Sequence, residues 1–308
     1  MAAAPSLAVV VTVVSDTSEE ADTSHVEGCL EALQCQADPP AMEVLVTCDA
    51  RLRGVYKLRQ RFPQVNFIAV GELHTARSGP SREHHDELRG IGIRNSRAPL
   101  VALIEDVGRP DQHWCAELVK EHQQPYAAVG GAMENGIDRA LNWAVYFGDF
   151  GRYQNPIPPG PSAYVSDANV CYKREALQRV ADAWAGSYNE ARVHAALAER
   201  GEVLALSPKV IVYQHRLNLR LGAALLERYV WGRSFAAVRV ASVPSSRRAV
   251  LALLCPLLPF VLLLRQFQNV VVRTKRNQAT FFRALPLTML LDLVWSWGEF
   301  VGYVTGHP

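Results

Sequence analysis

The sequence predicts an α/β fold: a mostly parallel sheet with helices on both faces, followed by a hydrophobic helical region. Three observations carry that prediction. Short β-branched runs alternate with longer amphipathic ones up to about residue 215. Of the 308 residues, 49% are apolar and 20% charged, enough to bury a large core and too apolar for a disordered chain. Beyond residue 215 the composition changes to long apolar runs separated by basic residues.

Residues 7–14 form an apolar run of strand length, as expected of a strand covered on both faces. Residues 26–36 place Val26, Cys29, Leu30 and Leu33 at helical spacing, and residues 42–47 return to strand character, giving a β-α-β unit. The alternation continues with a helix over 55–62, a strand over 66–70, a helix over 86–96 and a strand over 100–104. A helix opening near Pro110 and a strand over 127–131 follow. The polar stretch GELHTARSGPSREHH reads as a long loop, and a Pro/Gly-rich segment at 154–162 carries the chain across the front of the sheet. Ligands of such sheets bind beyond the carboxyl ends of the strands.

The N-terminal MAAAPSLAVVVTVVSD lacks a basic leader, and its apolar run passes into Ser15, Asp16 and Thr17, so it reads as a first strand and not a secretion signal. The six cysteines contain no Cys-X-X-Cys pair and are expected to be reduced thiols.

The net charge of +2 conceals a polarised chain: from residue 216 on there are twelve Lys/Arg against three Asp/Glu, and the remainder is acidic by seven. The tail is therefore expected to face an anionic membrane surface, and nothing points to nucleic acid. Two apolar runs, 249–264 with Pro256 and Pro259, and 284–304 with Asp292 and Glu299, flank RQFQNVVVRTKRNQATFFR, which has five basic residues and no acid. A spanning hairpin would put that basic loop outside, against the positive-inside tendency. Sixteen residues with two prolines also fall short of the ~20 a span needs. Helices lying in or re-entering the interface are expected, with Trp295, Trp297 and Tyr303 at its boundary. The alternative is a buried helical subdomain or a homo-oligomer interface made by these helices.

Several segments resemble glycosyltransferase family 2 when taken in order: VVVTVVSD with CLEALQCQ, EVLVTCD, LRGIGIRNSRAPLVALIED, RPDQHW, AVGGAMENG, NVCYKREAL, NEARVHAALAERG and SPKVIVYQH. The resemblance covers residues 7–215 and implies a GT-A (Rossmann-like) fold that transfers a sugar from a nucleotide-diphosphate donor with inversion. WGRSFAAVR at 231–239 is similar to a motif of a membrane-associated bacterial subgroup with an atypical Asp-X-Asp site, Glu-Asp-His, which here reads Glu105, Asp106, Val107. The subgroup's Gly-His-Asn reads Asp167, Ala168, Asn169. The implied division is a catalytic domain over 1–217 and a basic membrane-associated region over 218–308.

The resemblance assigns Asp49 to the nucleotide base and Arg89 to the nucleotide. It assigns Glu105, Asp106 and His215 to Mg²⁺ or Mn²⁺, although Val107 cannot ligate. Asn169 would lie near the donor sugar, and Lys173, Arg174 and Arg233 would stabilise the departing diphosphate. Glu190 would deprotonate the acceptor hydroxyl. Plainer readings exist: Asp49 as a turn residue, Arg89, Lys173 and Arg174 as solvated helix positions, and Tyr188 or Asn189 as a helix cap with Glu190 beside the positive helix end. The expected function is an inverting glycosyltransferase at the cytoplasmic membrane face, acting on a lipid-linked or glycan acceptor. The alternative is a non-catalytic scaffold or regulatory subunit of envelope glycan assembly, motivated by the atypical Cys48, Val107, Ala168 and Asn189. A nicotinamide oxidoreductase is disfavoured, because no Gly-X-Gly-X-X-Gly follows the first strand.

Overall fold

The computed structural model describes residues 4–17, 23–75, 82–240 and 243–307. Its sheet contains β1 (Leu7–Thr12), β2 (Met42–Asp49), β3 (Asn66–Val70), β4 (Leu100–Glu105), β5 (Gly108–Pro110), β6 (Ala128–Asn135), β7 (Gly160–Ser162), β8 (Asn169–Lys173) and β9 (Leu204–Gln214). The strand order is β3-β2-β1-β4-β8-β6-β9-β5, with β7 paired to β9. The first four strands are parallel, β6 and β9 are parallel to each other, and β8 runs antiparallel between β4 and β6.

β1 (LAVVVT) is buried throughout, as a central strand of a parallel sheet should be. Its alternate residues serve different faces. Leu7, Val9 and Val11 pack with α1 (Thr23–Gln34), α2 (Val55–Arg61) and α4 (Trp114–Glu121). Val10 packs with α3 (Glu83–Asn95), α6 (Arg174–Arg179) and α7 (Glu190–Glu199). The register brings Thr12 opposite both Thr47 and Glu105, so the carboxyl ends of β1, β2 and β4 share one rim.

The expected polar loop over 71–85 is shorter than it reads: Glu83, His84 and His85 already belong to α3, and residues 76–81 lie outside the described residues. Near Pro110 the chain forms the edge strand β5, and the helix begins only at Trp114.

Past β9 come α5's partners. α5 (Ala140–Asp149) packs against α11 (Gln278–Thr305), and α11 packs along α8 (Leu221–Val240). The core is continuous across this boundary: Phe147 of α5 meets Phe281 of α11 edge-on, with ring centroids 5.3 Å apart. α8 and α11 approach to backbone contact at Gly232 and Gly298, where an added Cβ would stand 2.3 Å from the Trp295 and Tyr229 carbonyl oxygens respectively. Only glycine allows that approach.

Two expectations about the tail are corrected. The first apolar run is not sixteen residues but part of a 30-residue helical segment, Ser245–Thr274, made of α9 (Ser245–Leu254), a 3₁₀ turn, α10 (Leu258–Phe267) and a wider-pitch stretch, Gln268–Thr274. Pro256 and Pro259 sit in the first turns of the 3₁₀ and α10 pieces, where a missing N–H is least costly. By length and composition this segment and α11 are both able to cross a membrane. Secondly, three of the tail's twelve basic residues pair with acids of the sheet region. Arg228 pairs with Asp149, Arg276 with Glu134 at 2.9 Å, and Arg283 with Asp138 at 2.5 Å. For these three arginines the anionic partner is the protein's own.

Candidate active site

A cavity of about 320 Å³ opens at the carboxyl rim of β1 and β4 and is roofed by α5 and α8, with Trp295 of α11 also on its wall. Its centre is Arg89, projected from α3 and 3% exposed. The guanidinium holds Glu105 at 2.9 Å, Asp86 at 3.2 Å and Asp167 at 3.2 Å. A buried cation is tolerated because these carboxylates surround it.

Six carboxyl groups line the cavity (Asp86, Glu105, Asp149, Asp167, Glu190, Glu227) against four guanidinium groups (Arg82, Arg89, Arg152, Arg216). The imbalance is eased by proton uptake. Burial pushes Glu105 up to about 7 despite Arg89, and Asp86 up to about 6. Burial, reinforced by the Asp167 charge, pushes Glu190 up to about 8. Asp167 moves the other way: burial would raise it, and Arg89 and Arg82 more than offset that. Three buried polar atoms on the wall, Trp231 Nε1, Asn142 Oδ1 and Gln214 Nε2, have no hydrogen-bond partner among the described residues. Unsatisfied donors and acceptors at a cavity wall mark where a polar ligand sits.

The sequence-derived candidates divide sharply. Arg89, Glu105 and Glu190 share this cavity. Asn189 is the cap of α7, its side chain accepting from the Arg192 N–H at 3.2 Å, and Glu190 opens the helix with its carboxylate accepting from the Asp167 N–H at 3.2 Å. The cap and the acid are thus two different residues.

Asp49, at the end of β2, is held by its neighbour Arg51, with contacts of 2.6–3.0 Å, and does not line the cavity. Those hydrogen bonds hold its carboxyl below the usual carboxylate range, against the opposing effect of burial.

The metal set Glu105, Asp106 and His215 does not converge. Glu105 is turned to Arg89, whereas Asp106, fully buried, accepts from the Val14 N–H at 3.0 Å and the Ser15 hydroxyl at 2.6 Å. His215 lies off the cavity, its backbone N–H donating to Val107 O at 2.8 Å, and burial with the nearby Arg109 and His25 lowers its basicity. These residues do not fit a shared ion. Among the described residues, the His/Cys/Asp/Glu atoms that do fall within reach of one ion are those of Asp16, His84 and His85.

Asn169 is a core brace: its Oδ1 accepts from Trp114 Nε1, and its Nδ2 donates to the Ala132 and Val210 carbonyls, all at 2.9–3.0 Å. No polar atom is left for a sugar. Lys173 and Arg174 stand at the wrong end of the sheet, because β8 is antiparallel to β4 and Lys173 lies opposite Leu100, the first residue of β4. They bind the Gln124 and Ala98 carbonyls and the Ser96 hydroxyl. Arg233 points to His307 O, while Trp231, two residues earlier and therefore on the other side of α8, faces the cavity. The WGRSF segment thus spends Trp231 on the cavity, Gly232 on α11 and Ser234 on Glu83 of α3.

Sequence reasoning missed Arg82, Asp86, Asp149, Arg152, Arg216 and Glu227, whose shared location depends on five separate parts of the chain: the start of α3, the end of α5, the 3₁₀ turn at 151–153, the segment after β9, and α8. His84 and His85 fall in the stretch whose polar composition predicts a loop, and the structure places them in the first turn of α3.

No protein-family model matches the chain, and no curated protein matches it. Solved structures similar to it include the mannosyltransferase PcManGT from Pyrobaculum calidifontis in complex with GDP-Man and Mn²⁺, at 17% identity and a TM-score of 0.48, covering 98% of this chain and 85% of that one. S. aureus TarS 1–349 in complex with UDP-GlcNAc is another, at 11% identity and a TM-score of 0.47, covering 96% of this chain and 88% of that one.

Proposed function

We propose that the protein is an inverting glycosyltransferase that uses a nucleotide-diphosphate sugar. The observation carrying this reading is Glu190: a buried carboxyl pushed up to about 8, set against Asp167 in a cavity with unsatisfied hydrogen-bonding groups and aromatic walls. Carboxylates accept hydrogen bonds from sugar hydroxyls, and Trp295 on the wall offers an aromatic surface to the apolar side of a sugar ring.

In this reading Glu190 takes the proton of the acceptor hydroxyl as that oxygen attacks the anomeric carbon, and the nucleoside diphosphate leaves from the opposite side. Arg82 and Arg152 are the cations for the leaving group, in place of Lys173, Arg174 and Arg233. They stack on Trp231 and Tyr164 and form no salt bridge among the described residues, which leaves their charge for a diphosphate. Asp49 would receive the nucleobase by exchanging Arg51, whose side chain is 78% exposed.

The helical tail supports a membrane-interface location. Leu253, Phe260 and Trp297 are 79%, 60% and 58% exposed, in segments whose apolar surface is largely uncovered. The turn joining α11 to the preceding helical segment is tied back to the sheet region, with Arg273 donating to Arg152 O and Arg276 paired with Glu134. That tie favours helices lying in the interface, on the cytoplasmic face, over a hairpin whose tip crosses the bilayer. A lipid-linked or glycan acceptor would enter from this side.

The test is release of nucleoside diphosphate from a panel of uridine and guanosine diphosphate sugars with lipid-linked acceptors. Turnover that falls ~10²–10⁴-fold in Glu190→Gln, with donor binding retained, is expected. Donor binding with no turnover in the parent protein favours the non-catalytic scaffold reading, which Asp106's commitment to Val14 and Ser15 motivates. Absence of binding to every donor removes both.

A further inference from the structure

We propose that Asp16, His84 and His85 form a binding site for one divalent transition-metal ion at the corner between the end of β1 and the first turn of α3. The inference rests on these residues alone and does not require sugar transfer.

Successive residues of a helix point about 100° apart, so adjacent histidines ordinarily serve different faces. In the first turn of α3 they converge. His85 Nε2 lies 2.7 Å from Asp16 Oδ1, His84 Nε2 lies 3.0 Å from Asp16 Oδ2, and the ring centroids are 4.1 Å apart. His84 is 7% and His85 3% exposed. The three candidate donor atoms all lie within 4.8 Å of one another. An ion bonded at ~2.0–2.2 Å holds its ligand atoms about 3.0–3.5 Å apart; both Asp16–histidine distances lie within a few tenths of an ångström of that range, and the two imidazole nitrogens, within 4.8 Å of each other, would adjust to it.

The donor set also selects the ion. Two imidazole nitrogens with one carboxylate favour zinc, cobalt, iron or nickel over magnesium and calcium, which prefer oxygen alone. Three protein ligands leave coordination positions open. His85, Val14 and Ser15 line the cavity, so an open position faces it. The preceding loop is fixed independently of the ion: Asp106 accepts from the Val14 N–H and the Ser15 hydroxyl, holding the two residues immediately before Asp16. Asp106 is thereby a positioning residue for this corner.

The experiment is a titration of the full chain, stripped with a chelator, with Co²⁺ alone, followed by visible absorption, and with Zn²⁺ as competitor. One Co²⁺ per chain is expected, displaced by Zn²⁺ and not by excess Mg²⁺. His85→Gln, whose amide still donates to Asp16 but ligates poorly, should weaken Co²⁺ binding ~10-fold or more while keeping the circular-dichroism spectrum and melting temperature. His84→Gln should do the same. Glu105→Gln and His215→Ala should leave Co²⁺ affinity unchanged. The proposal is overturned if the stripped protein binds neither Co²⁺ nor Zn²⁺, which would make Asp16 simply the acceptor of two imidazole N–H donors. It is equally overturned if binding survives both glutamine variants or is lost in Glu105→Gln.

Discussion

In the sheet region apolar side chains fill the interior, and the buried Arg89 gathers three carboxyl groups at one rim. In the tail from Leu221 onward Arg228 is buried against Asp149, and Arg276 and Arg283 make half-exposed pairs with acids of the sheet region, while Leu253, Phe260 and Trp297 face outward. The difference teaches which surface each region leaves for partners. The sheet region keeps its apolar groups inside, whereas the tail leaves leucines and aromatics uncovered, an apolar face of the kind that meets another molecule or a membrane. The sheet has its own internal contrast between rims. At the carboxyl rim of β4, Arg89 contacts three carboxyl groups; at the opposite rim Lys173 and Arg174 are satisfied by neutral oxygens.

The largest effect should come from breaking the contrast between rims. Arg89→Ala leaves Glu105, Asp167 and Asp86 buried without their cation and should cost ~3–5 kcal/mol in urea unfolding. Arg174→Ala, which removes only hydrogen bonds to neutral oxygens at a part-buried position, should cost about 1 kcal/mol. Similar losses for the two would show that the carboxylate cluster is not a special feature of its rim.

The pH dependence of turnover follows next. Glu190 must be ionised to act as a base, and burial beside the Asp167 charge pushes its pKa from an ordinary 4.5 up to about 8. Turnover should therefore rise ~10-fold per pH unit up to about 8 and then level. For stability the sign is opposite to the usual carboxylate. The folded protein holds a proton that the unfolded chain releases, so the contribution of Glu190 is full below 4.5 and is lost as pH rises through about 8.

The contrast between regions can be sharpened by replacing Leu253 and Phe260 together with glutamate. Cosedimentation with vesicles containing anionic lipid should fall ~10-fold or more, since each charge must be carried into the interface, with little change in melting temperature. Unchanged vesicle binding would assign the uncovered face to another partner. The smallest effect is expected at Arg276 and Glu134, whose side chains are 47% and 12% exposed. A double-mutant cycle there should give about 0.5–1 kcal/mol of coupling.

Much of the fold was legible because period and length are local properties: the buried run of β1, the helical spacing of Val26, Cys29, Leu30 and Leu33, and the acids ending β4 all sit where the sequence places them. The site was legible only in part. Arg89, Glu105 and Glu190 meet in one cavity. Lys173 and Arg174 failed because the direction of β8 cannot be read from its own residues. Asn169 failed because a polar residue in a strand looks the same whether it faces a ligand or braces three elements.

The sequence by itself determined the alternation of strands and helices, the charge asymmetry between the two regions and the acidic residues at strand ends. Those follow from side-chain chemistry and from spacings of a few residues. Only the tertiary structure decided that the basic tail docks on the acidic region, that Asp106 faces backbone and not cavity, and that Asp16 meets two histidines 68 and 69 residues away. The physical reason is that which of two faces a side chain presents, and to which partner, depends on strand direction and helix rotation, and long-range packing fixes both.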